Sequence, residues 1–326
     1  MKICIVGAGA IGGFLGAKLA IAGEQVTLIA RGNHLKAIQQ HGLKLIMADG
    51  SIQVATPTLA TDDFDVVEPQ DVVILALKAQ SVPAIAPLLP KLYHSETMVM
   101  TAQNGIPWWY FRKQGGAYEG TCIQAVDPEG IVEANIGADR VIGTVVYPAA
   151  EIVQPGVIQQ IEGDRFTLGE IDGSKSDRLQ SLAQVLKQAG FKAPIRTQIR
   201  TEIWVKLWGN LAFNPISALT RATLVEICQN PLTRDLARQM MLEAQAIAHH
   251  LGIEFGITLE QRIDGAEKVG AHKTSMLQDI EAGRSTEVDA IVGSVAELGR
   301  LTQIPTPHID AIYAATKLLE QTLEGV

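Results

Sequence analysis

The chain has 326 residues, of which 47% are apolar and 19% charged, and its formal net charge is −8. This length suits two domains, each able to bury a core, and the acidic balance argues against a nucleic-acid surface. No apolar run approaches the roughly 18 residues of a membrane span. Three cysteines, far apart and without metal-ligand spacing, indicate reduced thiols in a cytoplasmic protein.

The N-terminus carries a phosphate-binding pattern. Residues 3–6 predict a buried strand, and six residues in the G-x-G-x-x-G spacing follow it, namely Gly7, Ala8, Gly9, Ala10, Ile11 and Gly12. These glycines suit a tight turn, close approach of a pyrophosphate, and close packing of helix on strand. A helical pattern and a second strand, 26–30, come next. We therefore predict dinucleotide binding, with a glycine-rich turn of an unrelated α/β protein as the alternative.

The end of the second strand distinguishes the two nicotinamide dinucleotides. NAD enzymes usually carry an acid there for the ribose hydroxyls, whereas NADP enzymes offer a basic residue to the 2′-phosphate. Residues 30–34 contain no acid, and Arg31 directly follows the strand. Because a guanidinium can hold a phosphate through paired hydrogen bonds, we predict NADP(H) as cofactor. The alternative is a solvated arginine.

Two further strand ends deliver polar residues. Residues 71–77 form the clearest buried-strand pattern and end in Lys78, and the strand at 97–102 leads to Asn104. Ligands of an open parallel sheet bind beyond the carboxyl ends of its strands. We therefore expect Lys78 and Asn104 near the glycine-rich turn.

The rest of the N-terminal half is predicted as short strands and one helix. A hairpin is expected at 43–54, antiparallel β-structure appended to the parallel sheet at 122–170, a helix at 177–189 and a strand at 191–195. From residue 198 onward strand signals almost vanish. The sequence thus predicts an α/β chain with a doubly wound NADP-binding domain, 1–197, and an all-helical substrate and catalytic domain, 198–326.

One helix of the C-terminal half has a polar face. Lys206, Asn210 and Asn214 are spaced i, i+4, i+8 among apolar residues, so they share one side of the helix. A cation and two amides are costly to bury without polar partners. This pattern indicates a binding or catalytic face, and a solvated polar stripe is the alternative.

A second helix start lies at Thr286. The Thr-x-x-Asp spacing of residues 286–289 predicts a capping box and places Glu287 in the first turn. On spacing alone, Glu287 is equally well explained as an acid that complements the helix dipole.

Together these motifs resemble the ketopantoate reductase (2-dehydropantoate 2-reductase) family over nearly the whole chain. The resemblance rests on the glycine-rich turn, Leu77-Lys78-Ala79, Gln103-Asn104-Gly105, the Lys206, Asn210 and Asn214-Pro215 spacing, and Ser275 to Asp279 followed by Glu287. It implies a Rossmann-type domain that binds NADPH and a helical domain similar to the C-terminal domain of 6-phosphogluconate dehydrogenase, with the substrate in the cleft between them.

The resemblance also implies roles for individual residues. Lys206 would be the general acid, and Glu287 would hold the substrate or organise Lys206 beside the cofactor. Asn104 would lie near nicotinamide and substrate, and Lys78 near the cofactor or the substrate carboxylate. Asn210, Asn214 and Ser275 would bind substrate. The implied reaction is NADPH-dependent reduction of 2-dehydropantoate to pantoate in pantothenate biosynthesis.

Two features depart from the family pattern. His272 stands where well-known members carry an asparagine, and Trp108 and Trp109 follow the Gln-Asn-Gly turn, either lining the pocket or packing in the core. A reductase of another 2-oxo acid or imine therefore stays open, as does a non-catalytic NADP(H)-binding sensor. Exposed helix faces in the C-terminal half would permit a homodimer.

Overall fold

The computed structural model describes residues 1–324, which fall into two compact units. The first unit comprises Met1–Gln103, Trp108–Cys122 and Asp127–Ile199. The second comprises Asn104–Pro107, Ile123–Val126 and the chain from Arg200 onward. Two short segments of the N-terminal half therefore group with the helical unit.

The first unit contains the eleven strands of the described residues. They are β1 (Lys2–Val6), β2 (Gln25–Ile29), β3 (Leu43–Ile46), β4 (Ile52–Ala55), β5 (Leu59–Thr61), β6 (Gln70–Leu75), β7 (Tyr93–Thr101), β8 (Val141–Val146), β9 (Ala149–Gln154), β10 (Val157–Glu162) and β11 (Phe166–Glu170). The main sheet has the order β11-β8-β7-β6-β1-β2-β5, and every pair in it is parallel except β11 with β8. This is the predicted doubly wound arrangement.

The predicted β-structure between residues 122 and 170 was partly wrong. β8 extends the main sheet in parallel, whereas β9 and β10 join the β3–β4 hairpin in a separate sheet of order β4-β3-β10-β9. β10 pairs with β3 in parallel, and its Ile158 is buried beside Gly13 of the first helix. Burial of that apolar face stabilises the second sheet against the helix.

The strand predicted at 191–195 forms only isolated bridges to Arg165 and Leu168. Its backbone still runs beside β11, because the carbonyls of Lys192 and Pro194 accept hydrogen bonds from Phe166 and Leu168. Pro194 has no N–H to donate, so a continuous ladder is interrupted there.

Five α-helices belong to the first unit. They are α1 (Ala10–Ile21), α2 (Gly32–His41), α3 (Val82–Ile85), α4 (Ile131–Ile136) and α5 (Asp177–Gln188). Short 3-10 turns lie at Phe64–Val66, Ala79–Ser81, Ala86–Leu92, Pro128–Gly130 and Ala138–Arg140. Edge-to-face contacts of Phe191 with Phe14 and Phe166, at 5.3 and 5.1 Å, join α1 to the sheet and to the segment after α5.

The second unit is helical. Its helices are α6 (Ile199–Thr220), α7 (Leu224–Gln229), α8 (Pro231–His250), α9 (Leu259–Val269), α10 (Ser275–Glu281), α11 (Ser294–Thr302) and α12 (Pro307–Glu324), and a π-helical turn, Asp289–Gly293, precedes α11. α6 is fixed by Trp208, which stacks on Phe255 at 4.1 Å and donates to the Met241 carbonyl at 2.7 Å. None of the helices within residues 1–324 has the length and hydropathy of a membrane span.

Candidate active site

The first unit gathers three of the predicted site elements at one sheet edge. β1 pairs in parallel with both β2 and β6, so that Val6 lies opposite Ile29 and Leu75. The glycine-rich turn follows β1 directly, and Arg31 and Lys78 come two and three residues after the ends of β2 and β6, so all three lie at the same edge of the sheet. From β1 the next strands are added on one side of the sheet, and from β6 they are added on the other side. Open α/β sheets bind ligands at such a switch point.

The glycine-rich turn has the geometry of a pyrophosphate cradle. Gly7 has φ 99°, and a Cβ on Gly12 would lie 2.1 Å from the Gly7 carbonyl oxygen, so both positions require glycine. A Cβ on Gly9 would meet no atom within 4 Å. Gly9 is the N-cap of α1, and no side chain caps this helix end. Open space before an uncapped helix N-terminus suits a phosphate group.

Arg31 and Lys78 flank this turn in different surroundings. Arg31 is exposed at the N-cap of α2, and its carbonyl accepts from the Leu35 N–H at 3.3 Å. Lys78 is half-buried before the Ala79–Ser81 turn. An exposed guanidinium after the second strand fits a cofactor with a 2′-phosphate.

The second unit holds a chain of three polar side chains. Lys206 Nζ donates to Asn104 Oδ1 at 2.6 Å, and Asn104 Nδ2 donates to Glu287 Oε2 at 2.9 Å. All three residues are half-buried. Asn104 therefore joins the predicted proton donor to the predicted carboxylate.

The environment of Lys206 favours loss of its proton. Burial lowers the pKa of Lys206 to about 8, and the negative charge of Glu287 acts in the opposite direction. Trp204 and Leu207, which flank Lys206 on α6, are buried. A lysine of this kind can donate a proton near neutral pH.

The turn that carries Asn104 is packed tightly against the π-helical turn. Gly105 has φ 89°, and a Cβ there would lie 2.1 Å from the Ala290 carbonyl oxygen. That oxygen accepts from the Ile106 N–H at 3.0 Å and from the Ser294 hydroxyl at 2.6 Å. In the π-turn the Ser294 N–H donates to the Asp289 carbonyl, which releases the Ala290 carbonyl to bind Ile106.

The predicted polar face lies on α6. Asn210 and Asn214 follow Lys206 at one and two turns, and Asn214 is 5% exposed. Asn214 Nδ2 lies 3.5 Å from the hydroxyl oxygen of Ser275, an exposed residue that begins α10. The second unit therefore places a cation and two amides along one face of α6 and a hydroxyl beside Asn214, a set that can orient a small polar ligand.

The capping box predicted at Thr286 was wrong. The Thr286 hydroxyl oxygen accepts from the Val288 N–H at 3.2 Å, but the Thr286 N–H donates to Glu320 instead of Asp289. Asp289 accepts from Tyr313 and Lys317 of α12. These α12 residues were not among the predicted site residues. Their sequence signal is the i, i+4, i+7 spacing of polar groups on one face of an amphipathic helix.

The aromatic residues after the Gln-Asn-Gly turn belong to the core of the first unit. Trp108 and Trp109 are buried, and Trp109 Nε1 donates to the Thr101 hydroxyl at 3.0 Å. A Cβ on Gly143 would lie 2.8 Å from the Trp109 ring, so the ring packs directly on β8. This placement supports core packing of Trp109. His272 is half-buried, and its carbonyl accepts from the Leu224 N–H at 3.0 Å.

Comparison with known proteins supports the resemblance. The ketopantoate reductase PanE/ApbA family profile matches residues 3–173, and the profile of its C-terminal domain matches residues 198–320. The 2-dehydropantoate 2-reductase of Mesorhizobium japonicum is 55% identical over 321 residues, which cover 98% of each chain.

Solved structures show the same architecture. A protein from Ralstonia solanacearum MolK2, provisionally described as a ketopantoate reductase, has a TM-score of 0.94 and 41% identity over 99% of this chain and 98% of its own. A D-mandelate dehydrogenase solved with NADH and anilino(oxo)acetate has a TM-score of 0.84 at 24% identity, covers 99% of both chains, and shows the fold alone. The chain belongs to the ketopantoate reductase family.

Proposed function

We propose that this protein reduces 2-dehydropantoate to pantoate with NADPH. The observation that carries the proposal is the hydrogen-bonded chain of Lys206, Asn104 and Glu287. The name and 55% identity of the Mesorhizobium japonicum relative support the substrate. The alternative, a reductase of a different 2-oxo acid or imine, is supported by no comparable observation.

The first unit would hold the cofactor. Gly7 to Gly12 would bind the pyrophosphate through backbone N–H groups, Arg31 would bind the 2′-phosphate, and Lys78 would lie near the cofactor or the substrate carboxylate. When bound, NADPH supplies a hydride to the C2 carbonyl carbon of the substrate.

The second unit would supply the proton and orient the substrate. As the carbonyl becomes an alkoxide, Lys206 would donate its proton to that oxygen and would remain in the site as the neutral amine. Asn104 holds the Lys206 ammonium and is itself held by Glu287. Asn210, Asn214 and Ser275 provide uncharged hydrogen-bonding groups for the rest of the substrate. The product is the 2-hydroxy acid.

The test is the loss of NADPH absorbance with a panel of 2-oxo acids that includes 2-dehydropantoate, run beside NADH. We expect the highest kcat/KM with 2-dehydropantoate and NADPH. Turnover confined to another oxo acid would show that 2-dehydropantoate is not the substrate. Tight NADPH binding without any turnover would leave the protein a cofactor-binding sensor. A homodimer and a cytoplasmic location stay predictions, and sedimentation of the purified chain measures the former.

A further inference from the structure

The last helix of the chain holds the turn that carries Glu287. The Thr286 N–H donates to Glu320 Oε1 at 2.6 Å, and the Thr286 hydroxyl donates to the same oxygen at 2.9 Å. Thr286 and Glu320 are only 3% and 8% exposed. Hydrogen bonds to a carboxylate are strong, and stronger where water is excluded. The residue immediately before Glu287 is therefore fixed to α12.

The other flank of Glu287 is also bound to α12. Asp289 accepts from the Tyr313 hydroxyl at 2.6 Å and from Lys317 Nζ at 3.0 Å. Lys317 also donates to Glu320 Oε2 at 3.1 Å. This hydrogen bond links the attachment of Asp289 to the attachment of Thr286. Tyr313, Lys317 and Glu320 lie at i, i+4, i+7 on one face of α12.

The same turn continues into the segment that holds Asn104. After Asp289 the π-turn presents the Ala290 carbonyl to the Ile106 N–H, two residues beyond Asn104. Movement of the Thr286–Asp289 turn would thus displace both ends of the 2.9 Å hydrogen bond between Asn104 and Glu287.

We propose that Glu320 is a positioning residue for the reaction. Glu320 fixes the position of the Glu287 carboxylate relative to Asn104, and through Asn104 it fixes the position of the Lys206 ammonium. The expected loss of kcat rests on the proposed function, whereas the expected displacement of the Glu287 carboxylate does not. Glu320 itself touches neither cofactor nor substrate in this role.

The experiment compares two buried carboxylates that both anchor α12. Glu243 accepts from the N–H groups of His308 and Ile309, each at 3.0 Å, at the start of that helix. The side chains of Glu243 and Glu320 are 11% and 10% exposed. Glu243→Ala therefore controls for lost anchoring of α12 without a direct change at the Thr286–Asp289 turn. Tm, kcat, KM for 2-dehydropantoate and Kd for NADPH are measured for each variant.

We expect Glu320→Ala to lower kcat by about tenfold to hundredfold, the scale of a misplaced catalytic group, with the Kd for NADPH unchanged. Glu320→Gln retains an oxygen that can accept both Thr286 hydrogen bonds but loses the acceptor for Lys317, so it should recover part of the kcat that Glu320→Ala loses. Glu243→Ala should lower Tm while kcat stays near that of the wild type. Thr286→Val keeps the N–H bond to Glu320 but loses the hydroxyl bonds to Glu320 and from the Val288 N–H, so it should lower kcat in the same direction even if Glu320→Ala does not fold.

Equal losses of kcat in Glu243→Ala and Glu320→Ala, or none in Glu320→Ala and Thr286→Val, would overturn the positioning role. If the wild type does not reduce 2-dehydropantoate, the proposed function fails by itself. The crystal structures of Glu320→Ala and Thr286→Val then decide the inference. A Glu287 carboxylate displaced from Asn104 supports it, and one that stays within hydrogen-bond distance overturns it.

Discussion

The glycine-rich edge of the first unit, Gly7 to Gly12 with Arg31, and the polar chain of the second unit, Lys206 with Asn104 and Glu287, are built in different ways. At the glycine-rich edge the important features are backbone geometry and open space, supplied by residues that are neighbours in sequence. The polar chain consists of side chains far apart in sequence, since Lys206 and Glu287 are 102 and 183 positions from Asn104.

This difference suits the two proposed tasks. A pyrophosphate is recognised by backbone N–H groups, which any short segment can present. Proton donation requires a side chain with an altered pKa, and burial lowers the pKa of Lys206 while the distant Glu287 carboxylate limits that change. The edge should therefore govern cofactor affinity, and the polar chain should govern turnover.

The largest expected effect separates the two regions directly. Lys206→Ala removes the proposed proton donor, so kcat should fall by about 10²- to 10⁴-fold while the Kd for NADPH stays nearly unchanged. Steady-state kinetics and NADPH fluorescence titration measure the two quantities. Lys187→Ala, at an exposed position in the last turn of α5, is the control. Wild-type turnover in Lys206→Ala would remove this residue from the mechanism.

Two glycines of the same turn should behave differently. A methyl group on Gly12 would lie 2.1 Å from the Gly7 carbonyl oxygen, so Gly12→Ala should lower both Tm and NADPH affinity. A methyl group on Gly9 meets no protein atom within 4 Å, so Gly9→Ala should keep its Tm. Its Kd for NADPH should still rise by about tenfold to hundredfold, the equivalent of about 1–3 kcal/mol of steric overlap. Normal NADPH binding by Gly9→Ala would place the pyrophosphate elsewhere.

The polar chain also predicts a pH dependence. Reduction needs protonated Lys206, and its pKa is about 8, so kcat/KM should fall about tenfold per pH unit above that value. The Glu287 carboxylate raises this pKa, and Glu287→Gln removes its charge. The alkaline limb of the profile should therefore move to lower pH in Glu287→Gln. If kcat/KM of Glu287→Gln falls at the same alkaline pH as that of the wild type, a group other than Lys206 controls this fall.

The contrast between the regions also explains what could be predicted from sequence. The glycine-rich turn, Arg31 and the helix after the turn are local, and their spacing carries the relevant geometry. The polar face of α6 follows from helical periodicity because Lys206, Asn210 and Asn214 are spaced at four residues.

Features that depend on distant partners could not be obtained in this way. The second sheet requires β10 to pair with β3, which precedes it by more than a hundred positions. The Thr286 capping box was wrong because Glu320, 34 residues later, takes the N–H that Asp289 was expected to bind. Tertiary contacts outcompete a local pattern when a buried charged acceptor is available.

The smallest expected effect concerns cofactor choice at the glycine-rich edge. Arg31 is exposed, so its proposed contact with the 2′-phosphate competes with water and should contribute near the lower end of charged hydrogen bonds, about 1.5 kcal/mol. Arg31→Ala should therefore raise the Kd for NADPH by about tenfold and leave the Kd for NADH almost unchanged. Lys36→Ala removes one positive charge from an exposed position on the same helix, α2, and should change neither value. Equal weakening of NADPH and NADH in Arg31→Ala would instead place this side chain on a part common to both cofactors, such as the adenine.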